Sequence, residues 1–87
     1  MLDELLNDKV VIDLHSTYVC LGTLIRLDEH LLEVKHADFH DLRDTDTTRE
    51  NYVAASAQTG IKRNRKRVII FRAEVVAISR LSDVVDG

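Results

Sequence analysis

Two apolar segments joined by a short polar turn constrain the fold of this chain more than any other feature of its sequence. Tyr18–Leu27 is rich in apolar and β-branched residues, as strands are, and a second strand opens at Leu31 and runs toward Phe39. The turn between them, residues 28–30, is polar. Gly22 lies inside the first strand, where glycine usually marks a sharp bend or a close approach of another backbone segment. A strand bent at a glycine predicts a small sheet that curls into a barrel.

Three further strands and one short helix are predicted from the remaining apolar patterns. Leucines at helical spacing indicate a helix over residues 2–7, and residues 9–15 alternate as a strand does. Residues 68–71 and 75–78 are apolar at every position, which favours short strands that are covered on both faces. Consecutive strands joined by short turns favour an antiparallel meander that closes into a barrel.

The segment of about residues 44–64 interrupts the strand pattern and predicts an insertion before the fourth strand. Thr47 followed by Glu50 fits a capping box, and Gly60 is a good helix terminator. We therefore expect a helix over about residues 48–59. An irregular loop is the alternative, because several residues in this segment are poor helix formers.

Length and composition predict one domain. The chain has 87 residues, of which 45% are hydrophobic and 31% charged, so we expect one soluble domain over residues 1–87. Cys20 is the single cysteine, which excludes a disulfide within one chain and favours a reducing, cytoplasmic setting. The sequence has an acidic start and no long apolar run. We therefore expect no secretory signal and no membrane partner.

The two fully apolar strands predict that copies of this chain associate. In so small a domain, one face of each strand can line the barrel interior, and a neighbouring subunit is the best cover for the other. A bare apolar edge would also favour aggregation. We therefore expect a homo-oligomer whose interface is formed by seven apolar residues: Val68, Ile69, Ile70, Phe71, Val75, Val76 and Ile78.

Positive charge is concentrated in one short segment of a chain whose formal net charge is −3. Five of the six residues from 62 to 67 are basic: Lys62, Arg63, Arg65, Lys66 and Arg67. Such clusters bind phosphate groups of RNA with an affinity that falls steeply with salt. A solvated loop, or one that neutralises an acidic neighbouring subunit, is the competing interpretation of this segment.

Two short motifs resemble those of the Sm/LSm family. The first is a glycine, an apolar residue two places on, and an aspartate before a turn, here Gly22, Leu24, Asp28 and His30-Leu31-Leu32. The second is an apolar run that ends in arginine before the last strand, here Ile70-Phe71-Arg72-Ala73. The resemblance extends from Leu2 to about Leu81 and leaves the insertion outside it.

This resemblance implies both a fold and a way of binding. The fold would be all-β with short helices: a small five-stranded, strongly bent antiparallel Sm-like or SH3-like barrel with an N-terminal helix and a helical insertion before strand 4. Members of the family form rings of about six or seven subunits, in which the fourth strand of one subunit pairs with the fifth strand of the next. Single-stranded RNA would then bind at the pore, with a base stacked on His30 and the pocket completed by Arg72 and Asp28.

Two positions depart from the family pattern. Leu32 stands where the family has an asparagine that reads the edge of a base, and the loss of such a contact removes about 1–3 kcal/mol of base discrimination. Ala73 stands where the family has a glycine, so a backbone with positive φ would be costlier there. We therefore expect weak and unselective RNA binding at the pore, or none.

Each candidate pore residue also has a purely structural interpretation. His30 can be a polar turn residue, and Arg72 can form an ion pair with Asp28 or Glu29 once the two turns meet. Three functions follow: an RNA-binding ring, a structural or protein-interaction ring that has lost RNA recognition, and a monomeric SH3-like adaptor. Leu32 favours the second of these, and the motif residues favour the first.

The sequence contains no signature of an enzyme. No glycine-rich phosphate loop, nucleophile motif or convincing pair of catalytic carboxylates is present, so we expect neither catalysis nor a cofactor. His15, His36 and His40 are the other histidines, and the last two are spread too far along one strand to hold a single metal ion unaided. We therefore expect no metal site.

Overall fold

Five antiparallel strands follow one another along the chain and form one strongly bent sheet. A computed structural model describes residues 1–85, so the last two residues of the predicted 1–87 domain lie outside it. The strands are β1 (Lys9–Leu14), β2 (Tyr18–Leu27), β3 (Leu31–Asp41), β4 (Arg65–Phe71) and β5 (Val75–Arg80), and their order in the sheet is β4-β3-β2-β1-β5. A helix, α1 (Arg49–Thr59), precedes β4. Short 3₁₀ turns cover Leu2–Leu5, Leu42–Asp44, Arg72–Glu74 and Leu81–Asp83. The predicted five-stranded architecture with a helical insertion is therefore confirmed.

Gly22 is the point at which β2 and β3 come closest together. A Cβ atom built on Gly22 would lie 2.5 Å from Cγ1 of Val34, 3.0 Å from the carbonyl oxygen of Lys35 and 3.1 Å from Cα of Ala37. Distances this short leave room only for glycine, and two of the three atoms belong to the backbone of β3. The close backbone approach predicted at Gly22 is confirmed.

A β-bulge in β3 lies opposite this glycine. Leu21 pairs with Asp38 and Thr23 with Lys35, so Gly22 faces one residue more than a regular ladder would provide. Within the bulge, His36 adopts a left-handed backbone with φ of 51°. The bulge changes the alternation of side chains, because Val34 and Ala37 are buried, whereas Lys35 and His36 both lie on the outer side.

The sheet has apolar residues on both of its faces. Inside the bend, alternate residues of the strands form the larger core: Val10, Ile12, Leu14, Cys20, Leu24, Leu32, Val34, Ala37 and Ile70. On the outer face, α1 and the last 3₁₀ turn cover a smaller cluster: Val11, Val19, Leu21, Val53 and Leu81. Burial raises the pKa of Cys20 to about 12, and the nearby charge of Asp38 adds to the shift, so this thiol is inert at neutral pH.

The helix α1 begins one residue later than expected and has a different cap. The side chain of Thr48 accepts a hydrogen bond of 3.1 Å from the backbone N–H of Asn51, so Thr48 is the N-cap. The predicted capping box of Thr47 and Glu50 is therefore wrong. Gly60 ends the helix with φ of 102°, as expected of a glycine terminator.

The fourth strand begins earlier than the apolar run that predicted it. Arg65, Lys66 and Arg67 belong to β4, whereas the predicted strand began at residue 68 and a solvated loop was one interpretation of this basic segment. A strand needs backbone pairing and not an apolar side chain at every position, and here β3 supplies that pairing. Among residues 1–85, no helix has the length and apolar character needed to cross a membrane.

Candidate nucleic-acid interface

The turn after β2 and the turn after β4 meet at one end of the sheet. The backbone N–H of Arg72 donates a hydrogen bond of 2.8 Å to the carbonyl oxygen of His30. The guanidinium of Arg72 also donates to the carbonyl oxygen of Asp28. The alternative in which Arg72 forms an ion pair with the carboxylate of Asp28 or Glu29 is wrong. Arg72 donates to main-chain carbonyl oxygens and not to a side-chain carboxylate. This contact fixes one turn against the other.

Asp28 shapes its turn through its own side chain. Its Oδ1 accepts hydrogen bonds from the backbone N–H groups of His30, at 2.7 Å, and Leu31, at 2.8 Å. These two bonds hold the pKa of the Asp28 carboxyl below its usual value, and the nearby charges of His30 and Arg72 contribute less. Asp28 is therefore ionised at neutral pH and organises the backbone that carries His30.

His30 presents its ring to solvent on this braced turn. Its side chain is 81% exposed, and its Nε2 lies 3.6 Å from a carboxylate oxygen of Glu29. An exposed ring on a backbone held by Asp28 and Arg72 needs little reorganisation to stack on a flat ligand. The geometry suits base stacking by an imidazole, which tolerates any base sequence.

The two departures from the family pattern have different structural consequences. Leu32 is 1% exposed and packs in the larger core, so it cannot contact a ligand. Ala73 belongs to the 3₁₀ turn Arg72–Glu74, and the non-glycine residues with positive φ in the described part of the chain are Asn7 and His36. Ala73 therefore does not adopt a positive φ, and the cost of such a backbone at this position does not arise.

Strands β4 and β5 are the two edges of the sheet, and each pairs with one neighbour within residues 1–85. Four of the seven apolar residues predicted at an interface pack against the larger core: Val68, Ile70, Val75 and Ile78. The other three are exposed: Ile69 by 57%, Phe71 by 65% and Val76 by 61%. Each edge therefore combines free backbone groups with apolar side chains at the surface.

A groove with basic walls runs along the outer side of β3 and β4. We call it the basic groove and define it by its lining: Lys35, His36, Arg63, Asn64, Arg65, Lys66 and Arg67. Four of the five basic residues predicted to contact phosphates lie here. The fifth, Lys62, lines a different depression, together with Asp38, His40 and Tyr52. Sequence reasoning missed Lys35 and His36, which belong to β3.

Most of the positive charge in the basic groove has no acidic partner. Arg67 lies 3.3 Å from Glu33, which also lies 3.8 Å from Arg26. Arg65 donates a hydrogen bond of 3.2 Å to the carbonyl oxygen of Asn64, a neutral acceptor. Within residues 1–85, four cations of the groove have no carboxylate oxygen within 4.0 Å: Lys35, Arg63, Arg65 and Lys66.

Asn64 holds the end of the insertion against β3. Its backbone N–H donates to the carbonyl oxygen of Ala37 at 2.8 Å. Its side chain accepts from the N–H of Phe39 at 2.9 Å and donates to the carbonyl oxygen of the same residue at 3.0 Å. The amide thus imitates a paired strand residue and fixes the start of β4, where the basic groove begins.

A buried polar cluster joins the insertion to β3 beside the groove. Asp38 is 2% exposed and accepts hydrogen bonds from the hydroxyl of Tyr52 and, at 3.2 Å, from the amide of Asn64. Burial raises the pKa of Tyr52 well above its usual value, and the bond to Asp38 adds to the shift. His40 stacks on Tyr52 with ring centroids 4.2 Å apart. Removing a partner from such a buried carboxylate costs about 1–3 kcal/mol or more, so this cluster secures α1 to the sheet.

The chain has the fold of a known RNA-bound protein. An Sm protein of Pyrococcus abyssii, solved in complex with a uridine heptamer, superposes with a TM-score of 0.63. The match covers 91% of this chain and 90% of the other, at 18% sequence identity. No protein-family model matches the sequence, and no curated protein matches it either. At this identity the likeness establishes the fold, and the Sm-like barrel predicted from the sequence is confirmed.

Proposed function

We propose that this chain is a ring-forming member of the Sm/LSm family that binds single-stranded RNA by base stacking and phosphate contacts, without catalysis. The observation that carries this proposal is the contact between the two turns. Arg72 braces the backbone of Asp28 and His30, so the exposed imidazole of His30 is carried on a backbone that Arg72 holds at one end of the sheet. These are the side chains that the family resemblance assigns to the pore.

Assembly of the ring would use the two free edges. Pairing β4 of one copy with β5 of the next would satisfy the free backbone groups of both strands and cover Ile69, Phe71 and Val76. A closed ring of about six or seven copies would bring the His30 turns together around one opening. Repetition of the same weak site around a ring raises the affinity for a long strand through effective concentration.

Recognition in this proposal depends little on base identity. His30 and Arg72 supply flat surfaces for stacking, and the basic residues near the start of β4 attract phosphates. The buried Leu32 supplies no edge-reading group, so uracil and adenine are expected to bind with affinities within about tenfold of each other. The shared fold with a protein solved with a uridine heptamer supports RNA as the ligand class.

The test combines light scattering with fluorescence anisotropy of labelled oligo(U) and oligo(A). We expect an oligomer that binds both RNAs at low salt. His30→Ala should weaken binding by the loss of one stacked base per subunit, about 1–3 kcal/mol, whereas His30→Tyr retains a ring and should restore it. Equal affinities of the Ala and Tyr variants would show that the turn does not stack a base.

A ring that serves as a structural or protein-interaction scaffold is the second candidate function. The burial of Leu32 favours it, because the position that reads a base in the family contributes here to the core. In this case, light scattering would give the mass of a ring, while the anisotropy of both RNAs would stay unchanged at the lowest salt concentration. Monodisperse single chains at high protein concentration would contradict both rings and favour the SH3-like adaptor.

A further inference from the structure

We propose that the basic groove, which combines four of the five basic residues of segment 62–67 with two residues of β3, is the surface that binds phosphates, and that it holds the backbone of single-stranded RNA independently of the pore. This inference rests on the proposed function, since it assumes that RNA is the ligand. It replaces one residue of the predicted phosphate contacts, Lys62, by two residues of β3, Lys35 and His36.

The register of β3 and β4 decides which cations are neighbours. Lys35 lies directly opposite Arg67, and Ala37 lies opposite Arg65. Paired strands are about 4.8 Å apart, and residues two apart along a strand are about 7 Å apart. The three cations thus form a short two-row array with spacings like those between neighbouring phosphates of an extended strand. Lys35 and the two arginines are about thirty residues apart in the chain, so the sequence alone does not reveal this array.

The bulge opposite Gly22 adds a fourth side chain to the array. Without the extra residue, Lys35 and His36 would point to opposite faces of β3. With it, both lie on the outer side and line the basic groove. His36 accepts an unfavourable left-handed backbone, with φ of 51°, in this position. Local strain of this kind is retained where the surrounding structure imposes it, and here it places a second imidazole beside the guanidinium groups.

Charge and shape favour a phosphate backbone as the occupant. Lys35, Arg63, Arg65 and Lys66 lack an acidic partner within the described chain. The described residues that line the groove include no Phe, Tyr or Trp, and most of them are cations, so positive charge is its main means of attracting a ligand. Contacts to phosphates position a nucleic acid without reading its sequence. Binding in the groove is therefore expected to be independent of base identity and steeply dependent on salt.

The groove is complete within a single chain. All of its lining residues come from β3, β4 and the end of the insertion. Lys35 lies four residues along β3 from Leu31, the first residue after the His30 turn, a distance of about 14 Å at 3.4 Å per residue. The groove therefore needs no neighbouring copy, whereas the proposed pore exists only in the ring.

Two substitutions, each of which removes one positive charge, distinguish binding by the groove from binding by the basic segment 62–67. Lys35→Gln removes one cation of the groove that lies outside the basic segment, and Lys62→Gln removes one cation of the segment that lies outside the groove. The probe is labelled oligo(U), with anisotropy measured across a salt series. For Lys35→Gln we expect the slope of log K against log[salt] to lose about 0.7, which corresponds to about fivefold weaker binding at about 0.1 M salt. Lys62→Gln should keep the wild-type slope.

The outcomes distinguish this inference from the proposed function. If wild-type protein binds no RNA at the lowest salt, the proposed function fails and the groove fails with it. If wild-type protein binds but Lys35→Gln keeps the wild-type slope, or Lys62→Gln loses as much as Lys35→Gln, the groove alone is refuted. A thermal melt of each variant checks that both remain folded, which is expected of surface substitutions.

A further variant tests whether the groove acts without the ring. Val76→Asp places a charge on the exposed edge of β5 and should prevent pairing between copies. Once light scattering shows single chains, this variant should still bind oligo(U) through the groove, and adding Lys35→Gln to it should reduce the slope again. Loss of all binding in the single chain, or stronger binding of duplex RNA than of oligo(U), would overturn the proposal.

Discussion

Substitution of Gly22 by alanine should test how tightly β2 and β3 are packed at the bulge. The added Cβ would lie 2.5 Å from Cγ1 of Val34, 3.0 Å from the carbonyl oxygen of Lys35 and 3.1 Å from Cα of Ala37. Real Cβ atoms essentially never approach another heavy atom to 2.5 Å, so part of the structure must move. Val34 is fully buried and β-branched, and it has few alternative rotamers into which to move.

The size of the loss in stability depends on which of these three atoms can move away from the added Cβ. Overpacking a dense core typically costs about 1–3 kcal/mol. Two of the three close atoms belong to the backbone of β3, which is held between β2 and β4 and relaxes less easily than a side chain. We therefore expect Gly22→Ala to lower the free energy of unfolding by about 3 kcal/mol, at the upper end of that range.

Urea denaturation followed by circular dichroism measures this loss. A double-mutant cycle with Val34→Ala identifies its cause, since the smaller side chain removes the shortest of the three contacts. The double variant should be more stable than the sum of the single effects predicts, by about 1 kcal/mol. A loss below about 0.5 kcal/mol for Gly22→Ala alone, the range of ordinary surface substitutions, would refute the close approach.

The helix cap and the acidic turn provide two further predictions. Thr48→Ala removes the N-cap of α1 and should lower the free energy of unfolding, measured by urea denaturation, by about 1 kcal/mol. The control variant Thr47→Ala should be nearly neutral. A larger loss for Thr47→Ala than for Thr48→Ala would instead support the capping box expected from the sequence. The folded protein lowers the pKa of Asp28, so the stability from this carboxylate is present above its unfolded pKa of about 3.9 and is lost as pH falls toward the folded value. The difference in melting temperature between wild-type protein and Asp28→Asn should therefore shrink in acid, and a difference that is constant with pH would contradict this.

Local patterns in the sequence predicted most of the elements. The bounds of Tyr18–Leu27 and the turn at residues 28–30 are as predicted, and α1 begins within one residue of its predicted start. These features depend on interactions between residues close in sequence, such as alternation, turn chemistry and the glycine terminator. The predicted cap, Thr47, was wrong because its neighbour Thr48 is equally suited to the role, and only the structure shows which threonine accepts the hydrogen bond from the helix.

The candidate site was predictable in part. His30 and Arg72 became candidates through their spacing in two motifs, and the structure brings them together, since the N–H of Arg72 donates to the carbonyl oxygen of His30. Their purely structural alternative named the wrong acceptor, because an ion pair is the contact that side-chain charges suggest. The cluster of Asp38, Tyr52 and Asn64 had no sequence signal, since three polar residues spread over 27 positions show no shared pattern until the chain folds.

The sequence by itself determined the succession of strands, the place of the close backbone approach at Gly22 and the excess of apolar residues on the last two strands. Each of these results from the steric and solvation properties of residues that are neighbours in the chain. Only the tertiary structure decided which cations share a groove and which apolar side chains of β4 and β5 remain exposed. Both depend on the register between strands far apart in sequence, where a shift of one residue turns every side chain to the opposite face.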